Sequence, residues 1–147
     1  MTPEIRVKKL DPRARLPKFG SEYAAGADLC ALLDAPLSIE AGQTVLVHTG
    51  LAMEIPEGYG GFIYARSGLA SKRGLAPANK VGVVDADYRG EVMVALYNQS
   101  KTAQVIEDGE RIAQLVIAPF LHVSYVESEE LSDTVRGAGG FGSTGTK

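Results

Sequence analysis

Short apolar or alternating runs follow one another along nearly the whole chain, each cut off by Gly, Pro, Asp or Asn: IRVKKL, ADLCALL, QTVLVHTGLAMEI, GGFIYARS, VGVVDADYRGEVMVALYNQS and AQVIEDGERIAQLVIAPFLHVSYVE. Apolar residues at period two, or in brief β-branched runs, mark strands. Turn signals roughly every ten residues are the signature of an all-β sandwich, jelly roll or barrel. PEG (Pro56–Gly58) and EDG (Glu107–Gly109) read as turns between strands. One segment breaks the pattern. In RSGLASKRG (Arg66–Gly74), Ser67 is a capping residue type, Leu69 and Ala70 suit a helix, Lys72 and Arg73 suit its C-terminus, and Gly74 suits its end, so one or two helical turns are expected.

The chain of 147 residues is the size of one domain, and 45% hydrophobic content supplies a real core. A formal net charge of -3 argues against a surface for DNA or RNA, while leaving room for a small anion held by a local cluster. Cys30 has no partner, which excludes an intrachain disulfide or a cysteine-based metal site and fits a reducing compartment. No run approaches a membrane span, and the charged N-terminal stretch has no apolar signal region. A cytoplasmic location is the expectation.

Four places in the sequence are candidates for chemistry. Arg66 and Ser67 at the start of the expected helix suit phosphate oxygens, although an ordinary capped helix has the same composition. Asp85, Asp87, Tyr88 and Arg89 lie in a polar turn between the apolar runs of VGVVDADYRGEVMVAL, read as a β-hairpin. Acids in such a turn are commonly turn residues. Asp85, however, follows directly on VGVV, where a carboxylate would be partly shielded and able to hold a water, with Tyr88 packing over a sugar-like ligand. Asp28, between small residues in YAAGADLC, is either a strand-end acid or a group that reaches a hydrated Mg²⁺. His48 and His122 have no metal-ligand spacing and receive no chemical role. The C-terminus RGAGGFGSTGTK carries five glycines in Arg136–Lys147 and stays mobile unless a ligand orders it. Its GFGSTG matches a dinucleotide-binding spacing but has no strand before it or helix after it.

Five segments in order, AGADL, RSGLA, GVVDADYRG, GERIAQL and RGAGGFGSTG, span Ala25 to Gly145 and together closely resemble the trimeric dUTP pyrophosphatase (dUTPase) family. The resemblance implies a jelly-roll-like β-barrel or sandwich with one short helix. A β-rich domain over residues 1–135 would carry a mobile glycine-rich tail over 136–147 that closes as a lid. It implies hydrolysis of dUTP to dUMP and pyrophosphate by water attack on the α-phosphorus, which keeps uracil out of DNA and supplies dUMP for thymidylate synthesis. By the same resemblance Asp85 orients the attacking water, and Asp28 holds Mg²⁺ through a water. Arg66, Ser67, Gly68, Gln114, Arg136, Ser143 and Thr144 look like phosphate contacts. Asn79, Val83, Tyr88, Met93 and Phe141 look like contacts to uracil and deoxyribose. The implied partners are dUTP and the chain itself, as a homotrimer with shared sites; no nucleic acid and no membrane are expected. A dCTP deaminase, a silent nucleotide-sensing module on the same scaffold and a single-strand binder are competing readings. The DADYRG segment, the retained Asp85 and tail arginine, and the acidic balance count against them in turn.

Overall fold

A computed structural model describes residues 2–147. Twelve strands and one helix follow in order: β1 (Arg6–Lys9), β2 (Lys18–Phe19), β3 (Ala27–Cys30), β4 (Leu37–Ile39), β5 (Thr44–His48), β6 (Leu51–Glu54), β7 (Tyr59–Tyr64), α1 (Ser67–Arg73), β8 (Leu75–Pro77), β9 (Gly82–Val84), β10 (Met93–Asn98), β11 (Gln104–Ile106) and β12 (Arg111–Pro119). The all-β expectation, with its one short helix, holds. Both expected turns are present, and Gly58 and Gly109 supply the left-handed backbone (φ 85° and 81°) that each requires. No helix among the described residues is long and apolar enough to cross a membrane.

The strands pair antiparallel in four groups: β2-β3-β12-β7-β9, β5-β10-β8, β1-β6 and β11-β4. All four contribute to one core. Leu29, Ile63, Ile112 and Leu115 from the largest sheet meet Val47 and Leu96 from the second, Met53 from the third, and Ile39 and Ile106 from the fourth. Each of these side chains comes from the inward face of its strand, so alternation in sequence becomes burial in space.

Two expectations need correction. The segment VGVVDADYRGEVMVAL is not a hairpin, because β9 pairs with β7 while β10 pairs with β5 and β8. Residues 85–92 therefore cross from one sheet to another, and no ladder ties the two runs together. At α1 the capping residue is Arg66 (φ -90°, ψ 133°), not Ser67, which is the first helical residue, and no side chain caps the helix. The stop falls where the sequence put it: Gly74 adopts φ 66° and its N–H donates to the Ala70 carbonyl at 3.1 Å.

Asn98 and Thr49 are the fully buried polar side chains among the described residues, and Asn98 makes bonds through both ends of its amide. Asn98 Nδ2 donates to the Ile39 and Thr102 carbonyls at 2.8 Å each, while Oδ1 accepts from Ser100 N at 2.9 Å and Ser100 Oγ at 2.7 Å. It staples β10 to β4 across two sheets. Asn98→Ala removes the Nδ2 donor from the Ile39 carbonyl and the Oδ1 acceptor from Ser100, and is expected to cost on the order of 3 kcal/mol, read as a lowered denaturant midpoint at fixed protein concentration. An unchanged midpoint would show that this staple contributes nothing.

Candidate active site

The longest strand organises the cationic end of the molecule. β12 has a bulge between Arg111 and Ala113: Arg111 lies opposite Cys30, Ala113 opposite Leu29, and Gln114 opposite Asp28. In a regular strand residues three apart face opposite sides. The extra residue lets Ile112 and Ala113 both point into the core and returns Arg111 and Gln114 to one outward face beside Asp28. Asp28 is mostly buried and held by two guanidinium groups, Arg66 Nε at 2.8 Å and Arg111 Nη1 at 3.6 Å. Gln114 Nε2 donates to the Ala65 carbonyl at 2.8 Å, fixing the residue just before Arg66. Cys30 lies on the same outward side, but burial pushes its thiol up, so it is poorly ionised and adds no nucleophile.

Asp28, Arg66 and Gln114 line a cleft of about 250 Å³ together with Gly20, Gly26, Ser67 and Gly68, and Arg111 reaches Asp28 from outside that lining. The two glycines of the motifs serve different ends. A Cβ on Gly26 would run into the Gln114 side chain, so Gly26 is what allows Gln114 to lie flat against the strand; a Cβ on Gly68 would meet nothing, so its absence leaves bare backbone toward the cleft. The carboxylate and both arginines suit a hydrated cation leaning on phosphate oxygens. Among the described residues no three His, Cys, Asp or Glu side chains gather to hold a metal by themselves. A hard ion with most of its ligands from water and substrate fits this donor set, and a tetrahedral structural metal does not.

A second cleft, of about 270 Å³, is lined by Asn79, Val83, Asp85, Tyr88 and Met93, with Glu91 beneath them. Five of the six sequence candidates for the base, the sugar and the water thus meet in one place, and Phe141 does not join them. Asp85 is exposed here rather than partly shielded, because the crossing loop lies on the surface where a hairpin mouth would have lain against the sheet. Tyr88 is held by its hydroxyl, which donates to the Glu91 carbonyl at 2.8 Å, and its ring lies against Gly90, where a Cβ would collide with it.

The tail candidates stand apart. Arg136, Phe141, Ser143 and Thr144 line neither cleft. Arg136 bonds only within the tail, Nε to the Gly139 carbonyl at 2.7 Å, and Phe141 is fully exposed. Arg111, Gly26, Gly90 and Glu91 were not singled out from sequence. Gly26, Gly90, Glu91 and Arg111 all stand inside or beside the quoted motifs, so motif position was the available signal.

Fold and clefts together define an all-β protein with one end built for an anion and a separate cleft for a flat polar ligand. A model of the dUTPase family matches residues 13–145. The deoxyuridine 5'-triphosphate nucleotidohydrolase of Desulfitobacterium hafniense is 51% identical over 143 residues, covering 97% of this chain and 95% of that protein. That of Rickettsia bellii is 48% identical with the same coverage. The structure of the Staphylococcus bacteriophage 80alpha dUTPase with dUPNHPP is similar with a TM-score of 0.90 at 31% identity, over 99% of this chain and 100% of that one. The chain belongs to the dUTPase family.

Gly26→Ala should fold normally yet displace Gln114 and, with it, the Ala65–Arg66 backbone. Binding of inorganic pyrophosphate, measured by calorimetry, is expected to weaken about tenfold, the equivalent of one charge-assisted hydrogen bond. Unchanged affinity would separate Gln114 from the anion cleft.

Proposed function

We propose that this chain hydrolyses dUTP to dUMP and pyrophosphate, with uracil and deoxyribose in the Asn79–Met93 cleft and the phosphates against the Asp28–Gln114 cleft. The observation that carries this reading is the gathering of Asn79, Val83, Asp85, Tyr88 and Met93 into one cleft although they come from a turn, a strand, a crossing loop and a second sheet. The backbone of edge strand β9 near Val83 and the Asn79 amide read the polar edge of uracil, and Tyr88 packs against the deoxyribose. Asp85 orients a water and takes its proton as the water oxygen bonds to the α-phosphorus. The α–β bridging oxygen leaves with pyrophosphate. Arg66 and Gln114, with the amides of Ser67 and Gly68, bind and orient the phosphate oxygens. Asp28 would hold Mg²⁺ through a water, and the ion would supply charge neutralisation on the triphosphate. Arg66 and Arg111 fix the orientation of that carboxylate.

Each site is shared between copies of the chain. Along the five-stranded sheet, Asp28 and Asp85 are separated by three strand spacings sideways and four residues lengthwise, which places their Cα atoms roughly 20 Å apart. Two groups so far apart do not converge on one α-phosphate within a chain. Beyond β12, moreover, Leu121, Tyr125, Val126, Leu131 and Val135 are all more than 80% exposed. An apolar arm of this kind is covered when chains assemble, and a closed homotrimer brings one chain's nucleoside cleft to another's cationic cleft. Residues 136–147 then act as a lid separate from the body at 1–135, with Arg136, Ser143 and Thr144 on the terminal phosphate and Phe141 over the uracil ring. The lid shuts out bulk water during the reaction.

Incubation with dUTP, dCTP, dTTP and UTP in Mg²⁺ should give dUMP and pyrophosphate from dUTP alone at a substantial rate; release of dUTP from dCTP would mark a deaminase instead. Asp85→Asn is expected to keep dUTP affinity and lose about a hundredfold to ten-thousandfold in turnover. A turnover near that of the unchanged protein would remove Asp85 as the water-orienting group.

Sharing of sites has its own test. Asp85→Asn and a chain truncated before Arg136 should each be nearly inactive alone. Refolded together in equal amounts, about one site in four joins an intact Asp85 to an intact tail if the two come from different chains of a closed ring. Recovered activity is the expected result. Hybrid assemblies verified by mass but still inactive would show that both groups serve a site from the same chain.

A further inference from the structure

Tyr88 stands in the loop that crosses between sheets, and little inside that loop holds it. Its N–H donates to the Asp85 carbonyl at 3.1 Å, Arg89 bonds back to the Ala86 carbonyl at 2.6 Å, and the residue is 42% exposed. The hold comes instead from Glu91. Its carboxylate accepts the Gly50 N–H at 3.0 Å and lies 3.0 Å from His48 Nδ1 through both oxygens, while its own carbonyl accepts the Tyr88 hydroxyl. The next residue is pinned as well: Val92 N donates to the Leu51 carbonyl at 2.7 Å and its carbonyl accepts Thr49 Oγ1 at 2.6 Å. The β5–β6 turn, His48–Thr49–Gly50, therefore acts as a clamp on the end of the crossing loop.

We propose that Glu91, gripped by His48 and the Gly50 amide, is a positioning residue that sets the Tyr88 ring and through it the preference for deoxyribose over ribose. The proposal rests on the reading of Tyr88 as the residue that packs against the sugar. Geometry carries it: Glu91 lines the nucleoside cleft, and among the described residues its main-chain oxygen is the only hydrogen-bond partner of the hydroxyl that orients the ring. Burial of Glu91 favours its neutral form, but the bonds from His48 and Gly50 outweigh that and hold its carboxyl below the usual range, so the clamp stays ionised. Space beside C2′ is a matter of an ångström or less. A ring released from Gly90 and from the Glu91 carbonyl has the freedom to admit one more hydroxyl.

The test compares kcat/KM for dUTP and UTP. Tyr88→Ala is measured first. It should lower the dUTP:UTP ratio strongly, and an unchanged ratio removes Tyr88 from the sugar pocket and overturns this proposal with it. Glu91→Ala should lower the ratio about tenfold, the scale on which small groups are discriminated. Glu91→Gln, whose amide oxygen still accepts the Gly50 N–H, should restore most of it. His48→Ala, at an exposed side chain whose removal spares the core, should lower the ratio less but in the same direction. In a Tyr88→Ala background, Glu91→Ala should change the ratio no further. With Tyr88→Ala effective, an unaltered ratio in folded Glu91→Ala, or an additive loss in the double variant, would show that Glu91 does not act through the ring. Should Glu91→Ala fail to fold, His48→Ala decides, and a wild-type ratio there overturns the clamp.

Discussion

The position of β12 between β3 and β7 is the constraint on which the cationic end depends. A nine-residue strand satisfies two neighbours at once, antiparallel on both sides, and its register fixes what lies opposite what: Gln114 faces Asp28 on one flank and Tyr64 on the other. Tyr64 is two residues from Arg66, so the same register that aligns Gln114 with Asp28 delivers the Arg66 side chain to that carboxylate. The bulge at Ile112 then brings Arg111 round to the same face. A slip of β12 by one residue would bury Arg111 and Gln114 and expose Ile112 and Leu115, and the cost of doing so holds the register in place.

Buried ion pairs are weak evidence for stability, because desolvation offsets much of their attraction. The pairing of Asp28 with two arginines is better understood as preorganisation. Guanidinium groups oriented by a fixed carboxylate wait at the cleft with little rotamer entropy left to lose when an anion arrives. Gly26 serves the same end from the other side, since it allows Gln114 to lie where the Ala65 carbonyl can receive it. The Asn79–Met93 cleft is organised by a different device. It has a crossing loop in place of a ladder, and it borrows rigidity from the β5–β6 turn through Glu91 and Val92.

What was legible in the sequence follows the range of the forces involved. Period-two alternation and the glycines at 58, 74 and 109 are local, and strands, turns and the helix end fall where those signals stand. Pairing is not local. Two apolar runs joined by a polar turn read as a hairpin, yet β9 is taken by β7 and β10 by β5, because those neighbours complete the core and a hairpin would not. The bulge in GERIAQL leaves no trace in composition, and so the role of Arg111 stayed hidden although the motif was in view. Glu91 was passed over for a similar reason: its partners, His48 and Gly50, lie 43 and 41 residues away along the chain. Four of the five motifs come together around the two clefts while the tail motif stands apart, and only folding showed which residues there hold the others still.

The glycine-rich tail sits at the opposite extreme from β12. Regular β-structure ends at Pro119, and from there to Lys147 nearly every residue is exposed, with Phe141 holding a left-handed backbone (φ 51°) that a bulky residue seldom adopts. Ordering such a segment costs about 1–2 kcal/mol per residue in backbone entropy, and glycine pays most. Contacts to uracil alone, through one phenylalanine, would not offset twelve residues of that cost. Charge-assisted bonds from Arg136 and the tail hydroxyls to a triphosphate come nearer to doing so, and a diphosphate or monophosphate product offers fewer of them. On the proposed reading of residues 136–147 as a lid, such a segment closes on substrate and loosens on product. Its glycines set the balance by making closure expensive enough to be reversible.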